Sequence, residues 1–384
     1  MHVLYLIDSL IAGGAEQSLA LLAPQYTRRG VALDVAYLYE RDNVWRSAIE
    51  DAGARVFSLA GEHGMPGAVI RARRLLGERR PDVLHTTLFD ADIVGRCAAL
   101  FTRTPVVTSL VNEAYGAEQQ RNPSLRPWKL RAAQLADAIT ARRVTRFHAV
   151  STNVARVMAE RLHVPASRID VIPRGRDQSE LGERDDARRA ETRAALGVGE
   201  GDELVLALGR HEYQKGFDVL IAAFAELRRT RPRVRLAVAG REGNVSAALE
   251  AAVIAGDGAD AVEFLGFRAD VPALLCAADV FVSASRWEGS PGSVIEAMAL
   301  ETPIVATDIP AVREVLGLGD TAVLAPVDDA PALARAIASA LDDPESRTRA
   351  VAARARFLEC FTVDRVAERM ISFYECATRG GAGG

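Results

Sequence analysis

Lysine is almost absent from this 384-residue chain: among 47 basic residues only Lys129 and Lys215 are lysines. Arginine is therefore the default cation, and a lysine at a given place points to a need for a compact point charge. Cysteine is equally sparse. Cys97, Cys276, Cys360 and Cys376 show no CxxC spacing and fall mostly in apolar helical patterns, which predicts reduced core residues rather than a disulfide or zinc framework. No run approaches the ~18 uninterrupted apolar residues of a spanning helix, and the opening MHVLYLIDSL has neither a basic leader nor enough apolar length for a signal. The expected location is cytoplasmic, at most peripheral on the inner face of the membrane. A GxGxxG turn followed about 20 residues later by an acid is also missing, which argues against a dinucleotide-dependent oxidoreductase. A pI near 6.0 without a recognition motif excludes nucleic acid as a partner.

What is present is an ordinary globular composition, 49% hydrophobic and 26% charged, in a chain long enough for two domains. Short Val/Leu/Ile runs alternate with stretches of 3.6-residue period, the pattern of parallel strands buried on both faces and joined by helices. Strands are expected at 3–7, 32–37, 55–58, 83–85, 106–109 and 147–150, then at 204–207, 235–239, 262–264, 280–282, 303–306 and 322–324. The aperiodic stretch 112–127 reads as a loop, and the charge-dense stretch 177–193, leading into a helix that ends near Leu196-Gly197, as the linker. The tail from Asp328 reads as helical, with a last amphipathic helix over 363–377. Two doubly wound α/β domains follow, with a cleft between them. Cut after Asp177, the first part carries +6 and the remainder −10, either an anion-facing first domain or uneven decoration of two solvated surfaces.

Three segments carry chemistry. After the first strand, Gly13-Gly14 opens a helix, where free N–H groups favour an anion and the backbone can approach a ligand. Steric need alone produces the same glycines. In the second half Gly209-Arg210 and Lys215-Gly216 flank a strand end and a helix start, so that two cations meet the charge that develops on a departing diphosphate. The strongest signal is Ser285-Arg286-Trp287-Glu288-Gly289-Ser290-Pro291-Gly292-Ser293-Val294-Ile295-Glu296-Ala297-Met298-Ala299. A carboxylate precedes a Gly/Ser/Pro turn, a helix starts near Gly292 or Ser293, and a second carboxylate stands about one turn in. The helix N-terminus suits donor phosphates. Glu288 can accept from sugar hydroxyls and Glu296 from both ribose hydroxyls, although helix-dipole complementation also explains Glu296.

These residues resemble the retaining GT-B glycosyltransferases of family 4, the glycosyl transferases group 1. The likeness extends over nearly the whole chain, including Gly13-Gly14-Ala15-Glu16 and the inter-domain pattern of Val171-Ile172-Pro173, Gly175 and Asp177. It implies the GT-B fold: two Rossmann-like, doubly wound parallel-sheet domains facing a central cleft. Residues 1–177 would form the acceptor-binding domain, with a C-terminal helix at 362–379 crossing back onto it, and residues 178–361 the donor-binding domain. A sugar would pass from a UDP- or GDP-sugar to an acceptor hydroxyl with retained configuration and no metal, in polysaccharide or glycoconjugate biosynthesis. No cofactor is implied; the nucleotide sugar is co-substrate, and the acceptor a sugar, lipid-linked or small molecule. The catalytic set would be Arg210, Lys215, Glu288 and His85, with Gly13, Gly14, Gly209, Gly289, Ser290, Pro291, Gly292, Ser293, Val294 and Glu296 at the donor.

The chain departs from the family at Val111, where many members carry a histidine: Asn112, Glu113 or the following loop replaces it, the histidine is dispensable, or the activity is lost. Arg174 and Arg176 stand where Asn and an aliphatic residue are more usual, so acceptor contacts near Arg174 are an open expectation. The absent histidine suggests a non-catalytic nucleotide-sugar-binding protein as the alternative, with hydrolysis or epimerisation of the nucleotide sugar as a further one. His85 reads as a strand-end residue facing the cleft or as a histidine bonded within a loop. Asp90-Ala91-Asp92 begins a helix, where acids complement the dipole rather than hold a metal. Arg121, Arg126, Lys129 and Arg131 around Trp128, with Arg142, Arg143 and Arg146, form either a basic N-terminal-domain surface for anionic lipid head groups or a phosphorylated acceptor, or a solvated helix face.

Overall fold

Every strand pairing in the computed structural model is parallel, and each sheet strand is followed by a crossover helix or turn. Residues 1–116 and 126–380 are described; Arg121 lies outside them. The chain divides into two units, Met1–Gly175 joined by the residues from Val363 onward, and Arg176–Thr362.

In the first unit the strands are β1 (His2–Ile7), β2 (Ala32–Tyr37), β3 (Arg55–Ser58), β4 (Val83–Thr87), β5 (Val106–Leu110), β6 (Arg146–Ala149) and β7 (Ile169–Val171), ordered β3-β2-β1-β4-β5-β6-β7. The order reverses direction beside β1, the doubly wound arrangement that leaves ligand sites at the carboxyl ends of the central strands. Helices α1 (Gly14–Arg28), α2 (Arg46–Asp51), α3 (Gly64–Arg79), α4 (Phe89–Ala98), α5 (Pro127–Thr140) and α6 (Thr152–Leu162) connect them. β4 reaches two residues beyond its expected end because Leu84–Thr87 pair in register with Val106–Ser109. β7 was not expected; three half-buried residues give little periodic signal, and its pairing to Phe147–Ala149 is what makes it a strand.

The second unit holds α7 (Gln178–Leu181), α8 (Asp186–Ala195), β8 (Glu203–Leu208), α9 (Phe217–Thr230), β9 (Val234–Ala239), α10 (Ser246–Ala255), β10 (Val262–Gly266), α11 (Val271–Ala277) and β11 (Val280–Ser283). It continues with α12 (Gly292–Ala299), β12 (Ile304–Thr307), α13 (Pro310–Leu316), β13 (Val323–Ala325), α14 (Ala330–Asp342) and α15 (Ser346–Cys360). The sheet runs β10-β9-β8-β11-β12-β13. The charge-dense stretch after Asp177 lies inside the second unit and is not a linker: α7 fills its start, and α8 is the helix expected to end near Leu196. Asp185 caps α8 on Ala187 N, and Arg189 and Arg193 of α8 both pair with Asp279 ahead of β11. Its charges are spent on capping and ion pairs, which composition alone cannot distinguish from solvation.

The last helix, α16 (Val363–Gly380), belongs to the first unit. Val366, Met370, Phe373, Tyr374 and Ala377 join a core with Leu19 and Tyr26 of α1 and Val3, Tyr5 and Ile7 of β1. The two connections between the units lie side by side. A Cβ on Gly175 would stand 2.9 Å from the backbone of Val363, and Arg176 N–H donates to the Phe361 carbonyl at 2.8 Å. Among the cysteines, Cys276 is a buried core residue, but Cys376 is exposed on α16, a correction to the expectation of core cysteines that amphipathic spacing did not resolve.

Candidate active site

In the second unit β8 delivers Gly209 and Arg210, and a 3-10 turn of Tyr213–Lys215 carries the chain to α9. Gly216 begins that helix with φ +63°, and a Cβ there would stand 2.1 Å from the Ala284 carbonyl oxygen. Only glycine lets the turn close onto the end of β11. This closure brings Lys215 to the loop after β11, its stem resting on Gly209. Lys215 Nζ lies 2.5 Å from Glu288 Oε1, the Ser285 hydroxyl donates to the same oxygen at 2.8 Å, and Gln214 Nε2 donates to Oε2 at 3.3 Å. Glu288 is 8% exposed, so its charge is held by a cation and two neutral donors. Gln214 also donates to the Trp287 carbonyl at 2.8 Å. Ser285 opens the strongest segment and Gln214 stands between the two cations, but the sequence alone gives neither a role.

The turn Gly289-Ser290-Pro291 then leads into α12, with Pro291 as its N-cap. Ser290 is buried, and its hydroxyl has no hydrogen-bond partner. A buried, unsatisfied hydroxyl costs free energy that a ligand oxygen would recover. Gly292 and Ser293 are half-buried and Val294 is core. Glu296 accepts from Arg176 Nε at 2.6 Å, and the same guanidinium crosses Gly292, where a Cβ would meet it at 1.9 Å. Arg210 is more peripheral: its side chain is 64% exposed and its ion-pair partner is Glu212 at 3.6 Å. Arg286, inside the strongest motif, faces elsewhere. It pairs with Asp218 and Asp328 and stacks on Tyr213 at 4.0 Å.

The first unit has its own concavity at the carboxyl ends of its strands, lined by residues including Tyr5, Leu19, Val111, Arg174 and Met370. Its polar floor is a relay. Tyr374 Oη bonds His85 Nδ1, Ser109 Oγ bonds both His85 Nε2 and His148 Nδ1, each at 2.7 Å, and His148 Nε2 donates to the Ile172 carbonyl at 2.8 Å. His85 therefore sits in the middle of β4, 1% exposed with both ring nitrogens engaged, and not at an open strand end. Burial drives its pKa well below the ordinary value and that of His148 down to about 4. His148 carried no motif signal.

Gly13 and Gly14 have an intramolecular reason. A Cβ on Gly13 would meet the Glu16 carboxylate at 2.3 Å, and one on Gly14 the Arg174 guanidinium at 2.1 Å. Asn112 is exposed, whereas Glu113 accepts from Asn153 at 2.5 Å. Asp8, just after β1, accepts from Ala91 N at 2.7 Å, and burial raises its pKa to about 7, aided by Asp90 and Glu16. Asp90 accepts from Tyr39, and Asp92 lies 3.5 Å from Arg96. Among the described residues no group of three acidic, histidine or cysteine side chains is placed to hold a metal.

The sequence matches two family models, Glycosyltransferase Family 4 over residues 12–180 and Glycosyl transferases group 1 over residues 188–356. It is 30% identical over 342 residues to a glycogen synthase of Mycobacterium tuberculosis, covering 84% of this chain and 76% of that protein. It is 32% identical over 198 residues to the lipopolysaccharide core biosynthesis mannosyltransferase LpsB of Rhizobium meliloti, covering 50% of this chain and 56% of that one. The fold superposes on Anabaena Alr3699/HepE, solved in complex with UDP-glucose, with a TM-score of 0.85 over 98% of this chain and all of the other, at 22% identity. With two parallel α/β units in the GT-B arrangement of elements and both family models matched in order, the chain belongs to the group 1, family 4 glycosyltransferases.

Proposed function

We propose that this glycosyltransferase moves a hexose from a UDP- or GDP-sugar to an acceptor hydroxyl with retention and without a metal ion. The observation that carries the reading is the Lys215–Glu288 pair at 2.5 Å beside the start of α12 and the unpartnered Ser290 hydroxyl. Glu288, whose Oε1 already accepts from Lys215 and Ser285, keeps an acceptor site on Oε2 for a sugar hydroxyl. Lys215, Arg210 and the N–H groups of α12 take the diphosphate, so the charge that develops as the anomeric C–O bond breaks meets fixed positive potential. The acceptor oxygen bonds the anomeric carbon on the face the phosphate leaves, and its proton passes to the departing phosphate oxygen. The products are a glycoside and a nucleoside diphosphate, and no protein nucleophile is consumed. In the first unit the cavity floored by His85, Ser109 and His148 and bordered by Arg174 suits the acceptor. His85 then acts as a positioning residue, held neutral by its relay.

A thermal-shift panel of UDP-, GDP-, ADP- and dTDP-sugars without added metal, followed by transfer with the best donor, tests this. Stabilisation with transfer is expected, and Lys215→Ala should cost about 10²–10³ in turnover with the fold intact. Near-normal turnover in that variant overturns the assignment. Stabilisation without transfer or donor breakdown would favour the non-catalytic alternative.

The membrane reading has one observation behind it. On α5 the exposed side chains Trp128, Leu135 and Ile139 fall on one stripe at helical spacing, beside exposed Arg126, Lys129, Arg131 and Arg142. No helix among the described residues is long and apolar enough to cross a membrane. A peripheral contact with anionic lipid predicts sedimentation with phosphatidylserine vesicles that weakens with salt and is lost in Leu135→Glu/Ile139→Glu. Equal binding to neutral vesicles, or none, contradicts it.

A further inference from the structure

We infer that Arg176 is a specificity-determining residue: it fixes the Glu296 carboxylate in the orientation that reads the nucleotide's ribose diol. The inference rests on the reading of Glu296 as the ribose acceptor. The Arg176 backbone is anchored by the N–H bond to Phe361 and a parallel bridge to Thr362. From there the side chain, 5% exposed, reaches the first turn of α12 and donates Nε to Glu296 Oε1 at 2.6 Å.

A glutamate has three rotatable bonds, and an exposed one spreads over many rotamers. Glu296 is only 13% exposed, and the guanidinium holds one oxygen. A carboxylate offers about four lone-pair sites. The Nε bond uses one and leaves the others in a fixed plane, preorganised for two vicinal hydroxyls. Gly292 is part of the same device. Any side chain there would occupy the place of Arg176 Nη2, 1.9 Å from the Cβ position. The glycine of this turn is thus required by the arginine as well as by a phosphate. Because the guanidinium also adds charge at the start of α12, loss of Arg176 should weaken nucleotide binding in general. The ratio between ribose and 2′-deoxyribose ligands separates that effect from positioning.

The test uses whichever of UDP, GDP and ADP the full chain binds best by calorimetry, with its 2′-deoxy counterpart. Wild type should prefer the ribonucleotide by about tenfold or more, the range of a hydrogen bond to a charged group. Arg176→Val should lose most of that preference, matching Glu296→Gln, and Arg176→Lys should recover overall affinity better than preference. Should Arg176→Val not fold, Arg176→Gln, of similar polarity and smaller charge, gives the same ratio. Wild-type preference retained in the folded Val or Gln variant overturns the inference. So does a folded variant that binds neither nucleotide, since the arginine would then serve the phosphates. If Glu296→Gln itself keeps the preference, the ribose reading of Glu296 fails instead. If no nucleotide binds wild type, the donor site itself is misplaced.

Discussion

At the scale of single residues, side-chain chemistry was largely legible while partnership was not. The rarity of lysine marked Lys215, and the spacing of Glu288 and Glu296 marked a strand–turn–helix corner; both carboxylates sit where that reading put them relative to their helix. That Lys215 would meet Glu288 and Arg176 would meet Glu296 was not readable, because each pair spans more than seventy residues. Asp8 shows the same limit. Nothing near it in sequence predicts a carboxyl with a pKa of about 7, which burial produces. An unfolded aspartate ionises near pH 4, whereas the folded one keeps its proton to about 7. Between those values the unfolded state binds fewer protons, so this residue's contribution falls as pH rises from about 4 to 7. Asp8→Asn keeps an oxygen for the Ala91 N–H and removes the ionisation. Its melting temperature should exceed wild type at pH 8 and approach it near pH 4; an equal difference at both values would refute the assignment.

Elements were read well where they were long and periodic and poorly where pairing defines them. All twelve expected strands match observed ones to within two residues at either end, β7 went unseen, and the stretch after Asp177 holds α7 as well as the expected helix, α8. Helix start sites proved more informative than composition, since Gly/Pro punctuation at Gly216 and Pro291-Gly292 reports steric closure. Gly216 carries the sharper consequence. Alanine there combines a left-handed backbone with a Cβ 2.1 Å from the Ala284 carbonyl oxygen, a backbone atom that cannot step aside. Gly216→Ala should destabilise the second unit by at least about 2 kcal/mol, measurable as a lower urea midpoint. A shift within error of wild type would show that the α9 turn is not closed in this way.

At the scale of the whole molecule, α16 joins a sheet that ends some two hundred residues before it. Val366, Met370, Phe373 and Tyr374 are each under 5% exposed, and burying each such side chain contributes about 1.5–3 kcal/mol. A chain stopped after Thr362 should lose the cooperative transition of the first unit in calorimetry while the second unit still melts. Two unchanged transitions would mean that the first unit does not need the helix. The alternating pattern of strands and helices was determined by the sequence alone, because buried parallel strands and amphipathic helices impose periods visible in any short window. So were the two α/β units and the glycine–carboxylate corner between β11 and α12. Which charges neutralise one another and which glycines serve the chain's own arginines were decided only by tertiary structure. Those outcomes depend on Coulombic and steric contacts between segments far apart in the chain, and such contacts leave no periodic trace in either segment.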